Sequence, residues 1–105
     1  MGLTIDQTEN DSKIRISVRG EVDLYTSPDL RAAIMKSVPS AVAGVEVELA
    51  GVEYMDSSGV ATLVEGFKSA RKNSKTFVLL KPSPSVMKVL ELARLDAVFE
   101  IDRAP

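Results

Sequence analysis

The residues with the clearest capacity for chemistry are Asp56-Ser57-Ser58-Gly59. Two hydroxyls directly follow a carboxylate, and apolar residues at helical spacing begin at Val60. The segment joins a predicted strand to a predicted helix, so its small polar residues fall where the helix starts. The first four amide N–H groups of a helix have no partner within it and carry the positive end of its dipole. A hydroxyl at that place, Ser57, is an accessible acceptor for a phosphoryl group, because backbone donors and dipole both favour an anion. Phosphorylation would add about −1.5 to −2 charges at neutral pH. On spacing alone the same residues read first as an N-cap. Asp56 or Ser57 would then satisfy backbone donors, and Gly59 would let helix and sheet pack closely. The segment lacks the Gly-Lys-Ser/Thr ending of a phosphate-binding P-loop and the Gly-x-Ser-x-Gly of a nucleophile elbow.

Gly20-Glu21-Val22-Asp23 is the second candidate. It reads either as a plain turn after a strand or as the opening of a strand-to-helix loop. In a parallel layer such a loop can share an edge with Ser57, and the two would form one recognition surface. The carboxylate pairs Asp6 and Glu9, Glu46 and Glu48, and Glu100 and Asp102 read as solvated faces. Arg71-Lys72 matches the dipole at a helix end, and Met35 and Met87 read as packing filler.

Composition removes most catalytic alternatives. The 105 residues include neither His nor Cys. An imidazole base, a Ser-His-Asp triad, a thiol nucleophile, a Cys or His zinc site and an iron–sulfur cluster are therefore excluded. No basic phosphate clamp or metal cluster is visible, so neither enzyme, cofactor nor metal is expected. Thirteen basic against fifteen acidic residues leave a net charge of −2, and the five aromatics are not clustered. A nucleic-acid platform needs the opposite on both counts. Residues 1–11 carry no basic leader or apolar core of a signal peptide, and no apolar run approaches the ~18–20 residues of a membrane span. The expectation is one cytoplasmic domain, residues 1–105, without membrane insertion.

Positioning Ser57 requires an alternating architecture. Thr4–Gln7 and Lys13–Arg19 read as a hairpin, the second strand by its alternation of Ile14, Ile16 and Val18 with polar residues. Gly20–Thr26 is a predicted loop, and Ser27-Pro28-Asp29 starts a helix with Ser27 as cap. Leu30, Ala33, Ile34 and Val38 give its apolar face, and Pro39-Ser40 and Gly44 mark its end. Val45–Leu49 is a strand, and Gly51–Met55 leads into Asp56. Val60, Leu63, Val64, Phe67 and Ala70 share one helix face. Thr76–Leu80 is a continuous apolar run, which predicts a central strand buried on both faces. Ser83-Pro84 starts a short helix through Val86, Val89, Leu90 and Ala93, and Val98–Ile101 closes the chain as a strand. Strands alternating with helices predict an α/β fold whose sheet is mixed but mostly parallel, with helices packed on it.

At these residues the chain resembles the STAS domain family, and within it the stand-alone anti-sigma factor antagonists of bacterial partner-switching systems. Gly20-Glu21-Val22-Asp23 is similar to the family's Gly-Glu-Leu-Asp-like motif after the second strand. Tyr54-Met55-Asp56-Ser57-Ser58-Gly59-Val60 is similar to its phosphorylation segment. Pro82–Leu90 is similar to its later Ser-Pro-x-Val helix start, and Leu92-Ala93-Arg94-Leu95 to the family's next segment. The resemblance covers nearly the whole chain and implies a STAS-like fold and a binding switch. Its unphosphorylated form would bind an anti-sigma factor of the ATP-binding serine-kinase type and so free a sigma factor. Phosphorylation of the first Ser after Asp56, Ser57, would end that binding, and a PP2C-like phosphatase would restore it. The implied partner surface comprises Asp23, Leu24, Tyr25, Thr26 and Ser27 with Asp56, Ser58, Gly59 and Thr62. A terminal helix common in relatives is expected to be missing after Ile101. Gly59–Glu65 also resembles STAS subunits of lipid-transport ABC complexes, and other relatives switch partners on non-sigma targets.

Overall fold

Ile14, Ile16 and Val18, fully enclosed, alternate with half-exposed Lys13, Arg15 and Ser17, and this two-residue period drives a long strand to bury one face only. The computed structural model describes residues 2–103. Met1, Ala104 and Pro105, the ends of the expected 1–105 unit, lie outside the described residues. The elements run β1 Leu3–Asn10, β2 Lys13–Val22, α1 Ser27–Ser40, β3 Gly44–Met55, α2 Ser57–Lys72, β4 Thr76–Leu80, α3 Pro84–Leu92 and β5 Glu100–Asp102.

The sheet order is β1-β2-β3-β4-β5, with β1 antiparallel to β2 and all other pairs parallel. This is the mixed, mostly parallel α/β architecture expected. Right-handed crossovers that step the sheet in one direction place every helix on one face. Accordingly α1 packs beside α2, α2 touches α3, and the apolar residues of all three join Ile16, Val47 and Leu79 in one core. The other face carries ion pairs, Arg15 to Glu46 at 3.2 Å and Arg19 to Asp6 at 2.9 Å. Asp6 is solvated as expected, whereas Glu46, expected on a solvated face, is mostly covered, its side chain 16% exposed.

β4 is an interior strand. Phe77 and Leu79 point into the core, whereas Val78 and Leu80 lie on the helix-free face. They are nevertheless buried, flanked in register by Glu46 and Glu48 on one side and Glu100 and Asp102 on the other.

Several boundaries differ from expectation. The predicted loop 20–26 begins later, because β2 continues to Val22 and pairs with β3, which itself continues to Met55. Two register shifts along this stretch break the alternation that marks a strand. Gly20 sits at one of them with φ +110°, a conformation that side chains rarely allow. α2, by contrast, starts at Ser57 among the small polar residues expected to open it, three residues before its first apolar position. β5 is Glu100–Asp102; Val98 lies in a turn, and Phe99 is a core plug set edge-on against Phe67 at 5.6 Å between ring centroids.

Val60, Leu63 and Ala70 are buried on α2 as expected, while Val64 and Phe67 are half-buried at its margin. Phe67→Ala should therefore destabilise by less than the ~3–5 kcal/mol of a fully enclosed phenyl ring. Calorimetric melting of that variant beside Phe77→Ala checks the order: Phe67→Ala should melt higher.

Candidate functional site

Parallel strands deliver their carboxyl ends to one sheet edge, where α/β domains bind their ligands. Val22 of β2 and Met55 of β3 are register partners there, and the Asp56 amide donates to the Val22 carbonyl at 3.1 Å. Gly59 closes the junction from α2. A Cβ on it would lie 2.6 Å from Met55 Cγ and 2.8 Å from Val22 Cγ1, so no larger residue fits without moving the strand ends. Asp23 and Ser57 thus stand at one edge on adjacent connections.

Asp56 is the N-cap of α2. Its Oδ1 accepts from the Ser58 amide at 2.9 Å and from the Ser58 hydroxyl. The capping alternative is therefore realised, and by Asp56. Ser57, the next residue, is exposed, and its hydroxyl has no hydrogen-bond partner among the described residues. The two serines are chemically distinct: Ser58 is half-buried and its hydroxyl is engaged, whereas Ser57 presents its oxygen to solvent.

The loop after β2 is built around Asp23. Its Oδ1 accepts from the amides of Tyr25 at 2.9 Å and Thr26 at 3.0 Å. The Thr26 hydroxyl lies 2.8 Å from the Glu21 carbonyl, to which it donates, and accepts from the Asp23 amide at 2.9 Å. Thr26, not Ser27, is the residue that precedes α1, and its hydroxyl makes no cap bond because the loop already uses it. The loop leaves Leu24 68% and Tyr25 87% exposed on a pinned backbone. Asp23, expected to contact a partner, spends its carboxylate on shaping this tip.

The Thr26 amide first, with the Tyr25 amide beside it, holds the Asp23 carboxyl below its ordinary 3.8 in spite of the opposing effect of desolvation. A lowered carboxyl stabilises the folded loop fully above that ordinary value, and the contribution fades as pH falls through the lower folded value. Carboxyl-carbon NMR should give Asp23 a midpoint below 3.8, and the Tyr25 and Thr26 amide shifts should hold steady down to that pH.

Three residues expected on the partner surface are buried or enclosed. Ser27 and Thr62 are buried, the latter donating to the Ser58 carbonyl at 3.0 Å, and Gly59 is enclosed by Met55 and Val22. Each serves the packing beneath the site. Tyr54, two residues before Asp56 and not among the residues expected on the partner surface, is 50% exposed on β3. Among the described residues no group of three or more acidic side chains is placed to hold a metal ion, and no helix is long and apolar enough to cross a membrane.

Residues 5–100 match a family model described as Mlab, STAS domain. An anti-sigma-B factor antagonist of Bacillus subtilis (strain 168) is 30% identical over 103 residues, covering 96% of this chain and 92% of the relative. One from Listeria monocytogenes is 32% identical over 102 residues, covering 96% and 90%. Among solved structures, an anti-sigma factor antagonist from Mycobacterium paratuberculosis superposes with a TM-score of 0.88 at 25% identity, covering 98% of this chain and 87% of that one.

Proposed function

The chain belongs to the STAS domain family, and from that membership we propose that it is an anti-sigma factor antagonist switched by phosphorylation of Ser57. Unmodified, it binds an anti-sigma factor that is itself an ATP-dependent serine kinase. Transfer of a phosphoryl group to the Ser57 oxygen ends the complex, and a PP2C-like phosphatase restores it. The domain acts by binding, and the chemistry belongs to its partners. Relatives named as anti-sigma-B factor antagonists match over nearly the full length of both chains, which supports the partner class.

The observation that carries the assignment of Ser57 is the contrast between the two serines. A kinase must reach a hydroxyl and rotate it into line with the phosphoryl donor. Ser57 is exposed and unengaged, while Ser58 is tied to the Asp56 cap. Phosphopeptide mass spectrometry after incubation with the cognate kinase and ATP should find the phosphate on Ser57, and Ser57→Ala should bind the kinase yet stay unmodified. Phosphate on Ser58, with Ser57→Ala still switchable, would overturn the site. Stable binding to a transport ATPase and none to the kinase would favour the transporter-subunit reading instead.

The cap itself gives a second test. Asp56→Ala removes the acceptor for the Ser58 amide and should cost about 0.5–2 kcal/mol of stability. It also frees the Ser58 hydroxyl, so the same mass spectrometry should now detect phosphate on Ser58 as a second site.

A further inference from the structure

Gly59 stands two residues after Ser57 in the first turn of α2, and it is buried. Glycine is a poorer helix former than alanine, because its backbone has more freedom to lose. The backbone of Gly59 is not in the left-handed region that favours glycine. What the position uses is the missing Cβ.

The two side chains that a Cβ at 59 would strike belong to the residues that lead into the site. Met55 precedes Asp56 and Ser57, and Val22 precedes Asp23 and the Leu24–Tyr25 tip. They are register partners, and the Asp56 amide donates to the Val22 carbonyl, so the two connections share one frame. Gly59 is where α2 comes down onto that frame. At 2.6 Å from Met55 Cγ and 2.8 Å from Val22 Cγ1, a methyl would fall about 1 Å short of the ~3.5–4.0 Å of ordinary carbon contact. Neither neighbour turns aside cheaply. Val22 is β-branched and fully enclosed, and Met55 Cγ is the inner carbon of a buried side chain. β2 and β3 are interior strands, whereas the first turn of α2 meets solvent at Ser57, so the turn is the part that yields.

The geometry points to Gly59 as the positioning residue for phosphoryl transfer: its bare Cα seats the first turn of α2 on Val22 and Met55 and so fixes the Ser57 oxygen relative to the Leu24–Tyr25 tip. The inference rests on the antagonist reading above and adds what aims the hydroxyl. In the transfer the Ser57 oxygen bonds to the terminal phosphorus of the kinase's ATP. The bond from that phosphorus to the bridging oxygen breaks, ADP leaves, and the hydroxyl proton passes to a base of the kinase. In-line attack tolerates little error, and a misplacement of about 1 Å can cost roughly a hundred-fold in rate. A kinase that grips the tip and reaches for Ser57 reads the distance that Gly59 sets.

Single-turnover phosphorylation of the full chain by excess cognate kinase and ATP tests it, because saturation separates transfer from binding. Gly59→Ala should be phosphorylated on Ser57 about ten- to a hundred-fold more slowly than the unsubstituted chain. Gly66→Ala is the matched control. It lies about two turns further along α2, and a Cβ there would be as crowded, 2.7 Å from Ile34 Cγ2 and 2.9 Å from the Phe77 ring. It should melt lower yet transfer at the unsubstituted rate, with all rates read well below the melting temperatures. Phe67→Ala, on the same helix, replaces this control if it does not fold. An unchanged rate in folded Gly59→Ala, or equal slowing in variant and control, would overturn the assignment alone. Val22→Ala decides the case in which Gly59→Ala does not fold. It loosens the same seat from below and should slow transfer several-fold, and an unchanged rate there would overturn the assignment. If the kinase leaves the unsubstituted chain unmodified, the antagonist reading fails and takes the assignment with it.

Discussion

Ser57→Asp should bind the anti-sigma kinase roughly a hundred-fold more weakly than the unsubstituted chain, and the phosphorylated protein more weakly still. The cause is electrostatic. Ser57 presents a neutral hydroxyl, and a partner seated over it excludes water from that oxygen. An unpaired charge enclosed there costs several kcal/mol, and each ~1.4 kcal/mol is a factor of ten in affinity. Aspartate brings one charge and phosphate nearly two. The fold should not change, because Ser57 is exposed and its side chain takes part in no packing. The local balance has two sides. The helix start favours the anion, while the Asp56 carboxylate beside it disfavours a second negative charge. Both effects act in solvent and are screened, so they are small beside the interfacial cost. Calorimetric titration gives the affinity, and circular dichroism should place the melting temperature of Ser57→Asp within a few degrees of the parent. Equal affinity in a folded variant would remove Ser57 from the interface.

Phe77→Ala should bring the domain close to unfolding. Phe77 is buried in β4, between β3 and β5, with Phe99 at 6.4 Å between centroids. Gly66 of α2 lies so close that a Cβ there would fall 2.9 Å from the Phe77 ring. The ring is thus enclosed by helix, sheet and plug together, with little freedom to collapse around a vacancy. Truncating a buried Phe costs about 3–5 kcal/mol, against a total of about 5–15 kcal/mol for a typical domain. With about 4–8 °C lost per kcal/mol in a domain near 100 residues, the melting temperature should fall by roughly 12–40 °C. Thermal denaturation followed at 222 nm reads this directly; a fall of only a few degrees would contradict the packing described.

The elements whose side chains repeat simply were legible in the sequence. The alternation of Ile14, Ile16 and Val18, the apolar run Thr76–Leu80 and the helical spacing from Val60 each carried one period through one environment. What escaped was the part where two periods or two roles overlap. β2 and β3 run on past their bulges to Val22 and Met55, where the shifts of register break the simple alternation that marks a strand. The first turn of α2 is polar because it is capped, so apolar spacing could not locate its start at Ser57. The carboxylate of Asp23 is a surface group by type, yet hydrogen bonding turns it inward to shape the loop. Thr62 is polar and buried because its hydroxyl returns to the backbone one turn earlier. The candidate site was legible as the Asp-Ser-Ser-Gly segment; which of its residues face outward required the fold.

The one-sided layering of the helices bears on timing. Since β2, β3 and β4 are parallel and each is followed by a helix, α1, α2 and α3 all begin at the sheet edge that carries Ser57. Their positive ends lie on one side of the molecule, each worth roughly 0.3–1 kcal/mol to a nearby surface anion. On the proposed function, a phosphate on Ser57 would sit at the start of α2, where the helix dipole favours it and the Asp56 carboxylate opposes it, both weakly in solvent. Those two weak and opposed effects leave the lifetime of the phosphate to other proteins. How long the signal lasts is then set by the phosphatase that reads this edge, and the domain itself keeps the record until it arrives.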